Sequence, residues 1–187
     1  HPIFTFGTDE QKRRYLPRLI SGEWIGAHGI SEPESGSDAF AMHMRAVPCP
    51  GGYRLEGTKT FVTNAPVADV AVVFAATAPE KKSRGISGFI LERGMPGFTV
   101  GKNIEKMGLR TATMGELILQ DCFVPTENRL GREGSGAQIF SSSMEWERAC
   151  ILGSYIGVME RQLEECIEYA RTRKQFGQPI GKFQSVS

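Results

Sequence analysis

The chain has 187 residues, with 22 Lys or Arg against 21 Asp or Glu and a formal net charge of +1. That balance argues against a dedicated nucleic-acid binder, which carries a marked basic excess. At 40% hydrophobic and 23% charged residues the composition is globular rather than disordered, and no apolar run approaches the ~18 residues of a membrane span.

The amino terminus, His1-Pro2-Ile3-Phe4, lacks the basic-then-apolar pattern of a secretory signal. It also lacks an initiator Met, so the expectation is a processed piece or an excised fragment. Cys49, Cys122, Cys150 and Cys166 form no CxxC pair. Free core thiols in a reducing compartment follow. With no Asn-X-Ser/Thr sequon in the sequence, the expected location is the cytoplasm, or the mitochondrial matrix in a eukaryote.

The first predicted element is a helix over Thr8–Ile20. Thr8 with Gln11 has the spacing of a capping box, and Asp9 and Glu10 suit the positive end of the helix dipole. Pro17 is expected to break or restart it, and Ser21-Gly22-Glu23 reads as a turn. Next comes a turn-punctuated stretch from about Trp24 to Leu130. Its candidate strands are Trp24–Ile30, Met42–Val47, Tyr53–Val62, Val70–Thr77, Ile86–Leu91, Phe98–Val100 and Glu116–Val124. Short strands without intervening helices predict an antiparallel sandwich or barrel. The last zone, Ser135 to about Arg173, carries apolar residues at 152, 155, 156, 159, 163, 166, 167 and 170. That spacing is one face of a long helix, ended by Gly177 and Pro179. The fold class is therefore α+β: helix, sheet, then long helix. A stripe of that length needs a partner surface.

Glycine is abundant, 22 of 187 residues, as nucleotide-binding loops require. Gly52 to Gly57 followed by Thr58-Lys59 nearly matches a phosphate-binding loop, but Thr58 separates the second Gly from the Lys. A turn and strand is the better reading. Gly134-Ser135-Gly136 lacks the third glycine of a dinucleotide fingerprint. No Gly-X-Ser-X-Gly elbow occurs, and His1, His28 and His43 read as structural. No metal site is expected. The segment Gly29 to Asp38 combines Pro33 with several Gly and Ser residues. It is either an anion cradle built from N–H groups and hydroxyls or a well-capped surface loop.

Several separated blocks then converge: Thr8 to Pro17, Ser31-Glu32-Pro33 with Gly36-Ser37-Asp38, Gly57 to Asn64, Lys106 to Arg110, Val124-Pro125 with Asn128 to Gly131, and Arg171 to Gly177. In this order and spacing they resemble the acyl-CoA dehydrogenase family of flavoproteins. The resemblance implies a β-barrel-like middle domain between two helical domains, with FAD at their junction. Residues 1–22 would end the first helical domain, 23–132 form the middle domain, and 133–187 open an incomplete C-terminal helical domain. It implies flavin contacts from Ile30, Ser31, Gly36, Ser37, Phe61, Val62 and Thr63. Ser37 also falls on the thioester side. Arg173, Gln175 and Phe176 would reach the FAD of a neighbouring subunit, with Gln184 in a further cofactor stretch. Arg173 has a plainer reading, a basic residue favoured by the helix dipole. Glu34-Ser35 and Ala65-Pro66 depart from the family pattern.

The implied reaction is α,β-dehydrogenation of an acyl thioester, on CoA or a carrier protein. A carboxylate takes the α-proton and the β-hydrogen leaves as hydride. Glu147, in Glu145-Trp146-Glu147-Arg148, falls where a subset of the family carries its base, and Arg148 would hold local charge or line the acyl pocket. The other reading of Glu147 is a helix-face carboxylate paired with a neighbouring Arg. An electron-transfer flavoprotein partner and a homodimer or homotetramer are implied. The alternatives are a flavin-dependent oxidase on the same scaffold and a truncated, non-catalytic domain.

Overall fold

The computed structural model describes residues 1–186. They form two compact units, one spanning His1–Ser143 and the other starting at Met144.

The first unit opens with α1 (Pro2–Phe6) and α2 (Asp9–Ser21). The capping box forms as the spacing predicts: the Gln11 amide donates to Thr8 Oγ1 at 3.2 Å and the Thr8 amide to Gln11 Oε1 at 3.0 Å. Gly22 closes α2 at φ 76°, in the left-handed region. The helix runs through Pro17 rather than breaking. Pro17 removes one donor, but tertiary ties hold α2 on both sides of it. Gln11 Nε2 donates to the carbonyls of Glu127 and Arg129 at 2.7 and 2.9 Å, Tyr15 Oη donates to Glu92 at 2.7 Å, and the Arg18 guanidinium lies 4.6 Å over the Trp24 ring.

Eight strands follow: β1 (Gly26–Gly29), β2 (Arg45–Cys49), β3 (Gly52–Thr63), β4 (Val70–Ala76), β5 (Ile86–Glu92), β6 (Phe98–Val100), β7 (Met114–Pro125) and β8 (Arg129–Leu130). They join in the order β6-β7-β3-β2-β4-β5-β8, with β1 also on β4. Most pairs are antiparallel as expected, but β1 and β2 both run parallel to β4. They take successive stretches of one β4 edge, at Val70–Val73 and at Ala76. The chain between them leaves the sheet as a loop. No pairing closes β6 onto β8 among the described residues, so the sheet is open and not a closed barrel.

Strand β4 is buried along its whole length. Ala71, Val73 and Ala75 face a core with Leu55, Phe89, Leu117 and Leu119. Val70, Val72 and Phe74 face a second with Ile3, Tyr15, Ile86 and Ile139. A strand covered on both faces reads as an unbroken apolar run, which is why Val70–Ala76 shows no alternation. In β7, Leu117 and Leu119 are buried while Glu116 and Ile118 are half-buried.

Helix α3 spans Gly136–Thr172. A Cβ on Gly136 would lie 2.8 Å from the Ile86 carbonyl group, so only glycine lets the helix start this close to β5. Its buried residues, Gly136, Ile139 and Ser143, all belong to its first turns. The helix ends before Gly177 and Pro179. Those residues instead shape a hairpin of β9 (Lys174–Gln175) and β10 (Gln178–Pro179). Of the four free cysteines only Cys122 is buried. Cys49 is half-buried, and Cys150 and Cys166 are exposed on α3, so the expectation of core thiols holds for one of them.

Candidate active site

The first unit builds its candidate site on a bulge in β3. Lys59 pairs with Leu117, and the next register pair is Val62 with Gly115. Three steps on β3 answer two on β7, so one residue is extra, and such a bulge re-aims side chains. Lys59, Thr60 and Val62 are buried, whereas Phe61 is 63% exposed. Phe61 holds φ 54°, unusual for an aromatic residue and maintained only where its surroundings enforce it. The result is an aromatic side chain lifted off the sheet, with exposed Thr63 beyond it.

The loop between β1 and β2 is fastened beside this bulge. The Thr60 amide donates to the Ser31 carbonyl at 2.8 Å, and Lys59 Nζ donates to the Ile30 carbonyl at 3.1 Å and to Glu32 Oε1 at 2.7 Å. Glu32 and Ser35 exchange backbone bonds at 2.8 and 3.2 Å, and Ser35 Oγ donates to the Asp38 carbonyl at 2.6 Å. The Glu32 carboxylate accepts from the amides of His43 and Met44. Burial pushes the Lys59 ammonium pKa down, and the Glu32 carboxylate opposes that push.

Ile30 and Ser31 thus lie half-buried next to the Phe61 bulge, with Gly36 and Ser37 exposed farther along the same loop. Nothing stands within 4 Å of where a Gly36 Cβ would be, so its backbone is open to an anionic group. Val62 lies in the core at 2% exposure, leaving only its backbone for a ligand. A flat conjugated ring fits the exposed Phe61 face, and a phosphate fits the open Gly36–Ser37 backbone. Glu32 and Lys59 escaped the sequence reading as site residues. The available signal was a Lys within a strand otherwise read as core, which requires a buried partner.

The second unit carries the other candidates. Glu147 and Arg148 are exposed on α3, and among the described residues neither forms an ion pair, so the helix-face pairing does not occur. Arg173 follows the last helical turn; its amide donates to the Tyr169 carbonyl and its own carbonyl accepts from Ile180, both at 2.8 Å. Its guanidinium is exposed, as are Gln175 and Gln184. Phe176 tops the hairpin at 95% exposure and φ 50°, with its ring 6.2 Å from that of Phe183. At 1.5 Å per residue, Glu147 and the end of α3 stand about 38 Å apart along the axis. The structure therefore does not bring Glu147 and the Arg173 hairpin together. Among the described residues no cluster of His, Cys, Asp or Glu could hold a metal ion, and no helix is long and apolar enough to cross a membrane.

Residues 1–23, 27–122 and 134–187 match the N-terminal, middle and C-terminal domains of acyl-CoA dehydrogenase. The chain is 52% identical over 187 residues to an L-prolyl peptidyl-carrier-protein dehydrogenase of Pseudomonas fluorescens, covering 100% of this chain and 49% of that protein. The crystal structure of the prolyl acyl carrier protein oxidase AnaB superposes with a TM-score of 0.92 at 48% identity, over 98% of this chain and 49% of that one. PigA with FAD and proline gives a TM-score of 0.92 at 43% identity, over 98% and 48%. The chain spans about half the length of the curated relatives it matches. With three consecutive domains of one family matched in order along it, the chain belongs to the acyl-CoA dehydrogenase family.

Proposed function

We propose that the protein carries out FAD-dependent α,β-dehydrogenation of an acyl thioester, and that the acyl group, a prolyl group foremost, is held on a carrier protein. The observation that carries the reading is the β3 bulge, which sets an exposed Phe61 beside the fastened Ile30–Ser31 backbone. The preference for a carrier protein is supported by the likeness to the prolyl-carrier dehydrogenase and to AnaB. The three-part division at 22/23 and 132/133 belongs to the same reading.

In this reading Phe61 lies against the isoalloxazine, the Ile30, Ser31, Val62 and Thr63 backbone borders the ring, and Gly36 and Ser37 meet the pyrophosphate. Bound FAD supplies the two-electron acceptor for the substrate's β-hydride. Glu147 removes the α-proton. That proton is too weakly acidic for a carboxylate in water, so the thioester carbonyl must be polarised and water excluded. Glu147 is exposed in this chain, so the reading requires a covering element over α3 at that position. Arg148 holds charge beside it. The Arg173 hairpin, with Gln175, Phe176 and Gln184, serves the flavin of a neighbouring copy, which the distance along α3 supports. A guanidinium suits that task because it pairs bidentately with phosphate oxygens.

FAD titration followed by turnover on prolyl-carrier protein and on acyl-CoA tests the proposal. Stoichiometric flavin binding and a rate on the carrier thioester at least tenfold above acyl-CoA are expected. Glu147→Gln should lower kcat by about 10²–10⁴-fold, the range of general-base catalysis, with FAD affinity kept. No flavin binding would reduce the chain to a non-catalytic domain. The second reading, an oxidase, is favoured by the name of AnaB. Rapid reoxidation in air, without an electron-transfer flavoprotein, would select it.

A further inference from the structure

The Lys59–Glu32 pair belongs to none of the roles above, and core stability alone does not require it. Lys59 and Glu32 have side chains 0% and 2% exposed. Removing two charges from water is expensive, and buried pairs replaced by apolar groups often leave stability unchanged. Nor can Lys59 be a phosphate ligand, despite the Gly-rich run before it. Its ammonium is enclosed and already donates to Ile30 and Glu32.

Its placement is informative. Lys59 is the last residue of β3 in register before the bulge that lifts Phe61. Its ammonium grips the first residues of the loop at Ile30 and Glu32. The carboxylate at the other end of the pair accepts from the His43 and Met44 amides, just before β2. One ion pair thus ties both ends of the loop to each other and to the bulge. The fit is close: a Cβ on Gly29 would lie 3.3 Å from Lys59 Cβ and Cγ.

We propose that the buried Lys59–Glu32 pair is the positioning element of the flavin site, holding the Ile30–Ser31 backbone in register with the Phe61 bulge. This rests on the flavin reading above. Neither residue touches the ring. Each acts through the loop, and loss of the pair loosens and retunes bound flavin without unfolding the sheet.

The test compares four proteins: the unsubstituted one, Lys59→Met/Glu32→Gln, Glu32→Asp, and Leu55→Ala. Leu55 is buried in the same strand and takes no part in the Lys59–Glu32 bonds, so its variant reports simple loss of stability. FAD Kd, visible flavin absorbance, flavin midpoint potential and thermal midpoint are measured for each. The double variant is expected to keep the sheet's circular dichroism and to weaken FAD roughly tenfold or more, as loss of preorganisation does. Its absorbance and midpoint potential should shift. Glu32→Asp keeps both charges but shortens the tie, and should give a smaller change of the same kind. It also decides the matter if the double variant does not fold. Leu55→Ala should lower the thermal midpoint while leaving absorbance and potential alone. If FAD affinity and potential are unchanged in Glu32→Asp and in any folded double variant, the positioning role is wrong while the flavin reading stands. The same holds if Leu55→Ala reproduces their effects. Absence of flavin binding by the unsubstituted protein overturns both.

Discussion

His28 is a residue whose titration couples this fold to mild acid. Its ring packs edge-on against Phe74, with centroids 5.4 Å apart and an interplanar angle of 84°. Nε2 is buried with no hydrogen-bond partner among the described residues. Burial pulls the His28 pKa down to about 4. A His held neutral in the fold takes up its proton more readily in the unfolded chain. Between about pH 4 and 6.5 the unfolded state therefore binds more protons, and stability falls as pH drops through that window. Above about pH 6.5 the effect is absent. At 1.36 kcal/mol per pKa unit, the full loss is on the order of 3 kcal/mol. His28→Phe keeps an aromatic edge against Phe74 and removes the titration. Urea unfolding of both proteins at pH 7.5 and pH 4.5 should show the variant losing about 2.5 kcal/mol less over that interval. Parallel losses would mean that carboxylates elsewhere dominate acid sensitivity.

Element by element, α2 shows how local and tertiary signals combine. Thr8 and Gln11 form a reciprocal cap, which by itself treats them as equals. The Gln11 side chain, however, also donates to the Glu127 and Arg129 carbonyls and so fastens α2 to the chain around β8. Thr8→Ala should cost about 1 kcal/mol. Gln11→Ala should cost more, about 2–3 kcal/mol, because it removes the two bonds to the Glu127 and Arg129 carbonyls along with the cap. Chemical denaturation orders the two, and equal losses would reduce Gln11 to a cap residue. This also explains what the sequence could and could not reveal. The capping box, the long helix and most strand positions were legible, because each depends on neighbours within a few residues. The passage of α2 through Pro17 was not, because its supports lie far along the chain. The parallel neighbours of β4 and the β3 bulge were hidden for the same reason. Lys59, Thr60 and Phe61 show no local mark of which one leaves the sheet. Family blocks pointed to Ile30, Ser31 and Phe61, but the Lys59–Glu32 tie is a pairing of distant positions and appears only on folding.

For the whole molecule, the decisive feature is what α3 leaves uncovered. Ile151, Leu152, Tyr155, Ile156, Met159 and Leu163 are all more than half exposed. Covering one such side chain fully is worth about 1.5–3 kcal/mol, so a stripe this long favours a covering surface. Glu147 and the Arg173 hairpin stand about 38 Å apart along the same helix, too far to serve one ring through this element. Pairing of copies would satisfy both facts: it would cover the stripe and deliver the guanidinium of one copy to the flavin of another. Flavin retention should then depend on protein concentration. Sedimentation of the 187-residue chain is expected to show association at micromolar concentration. Met159→Glu with Leu163→Glu should shift it to monomer and release FAD in step. Arg173→Ala should weaken FAD retention while leaving association and thermal midpoint unchanged. A chain that holds FAD equally well as a diluted monomer would sever the link between the two ends of α3, and would return Arg173 to the plain role of a cation favoured at a helix C-terminus.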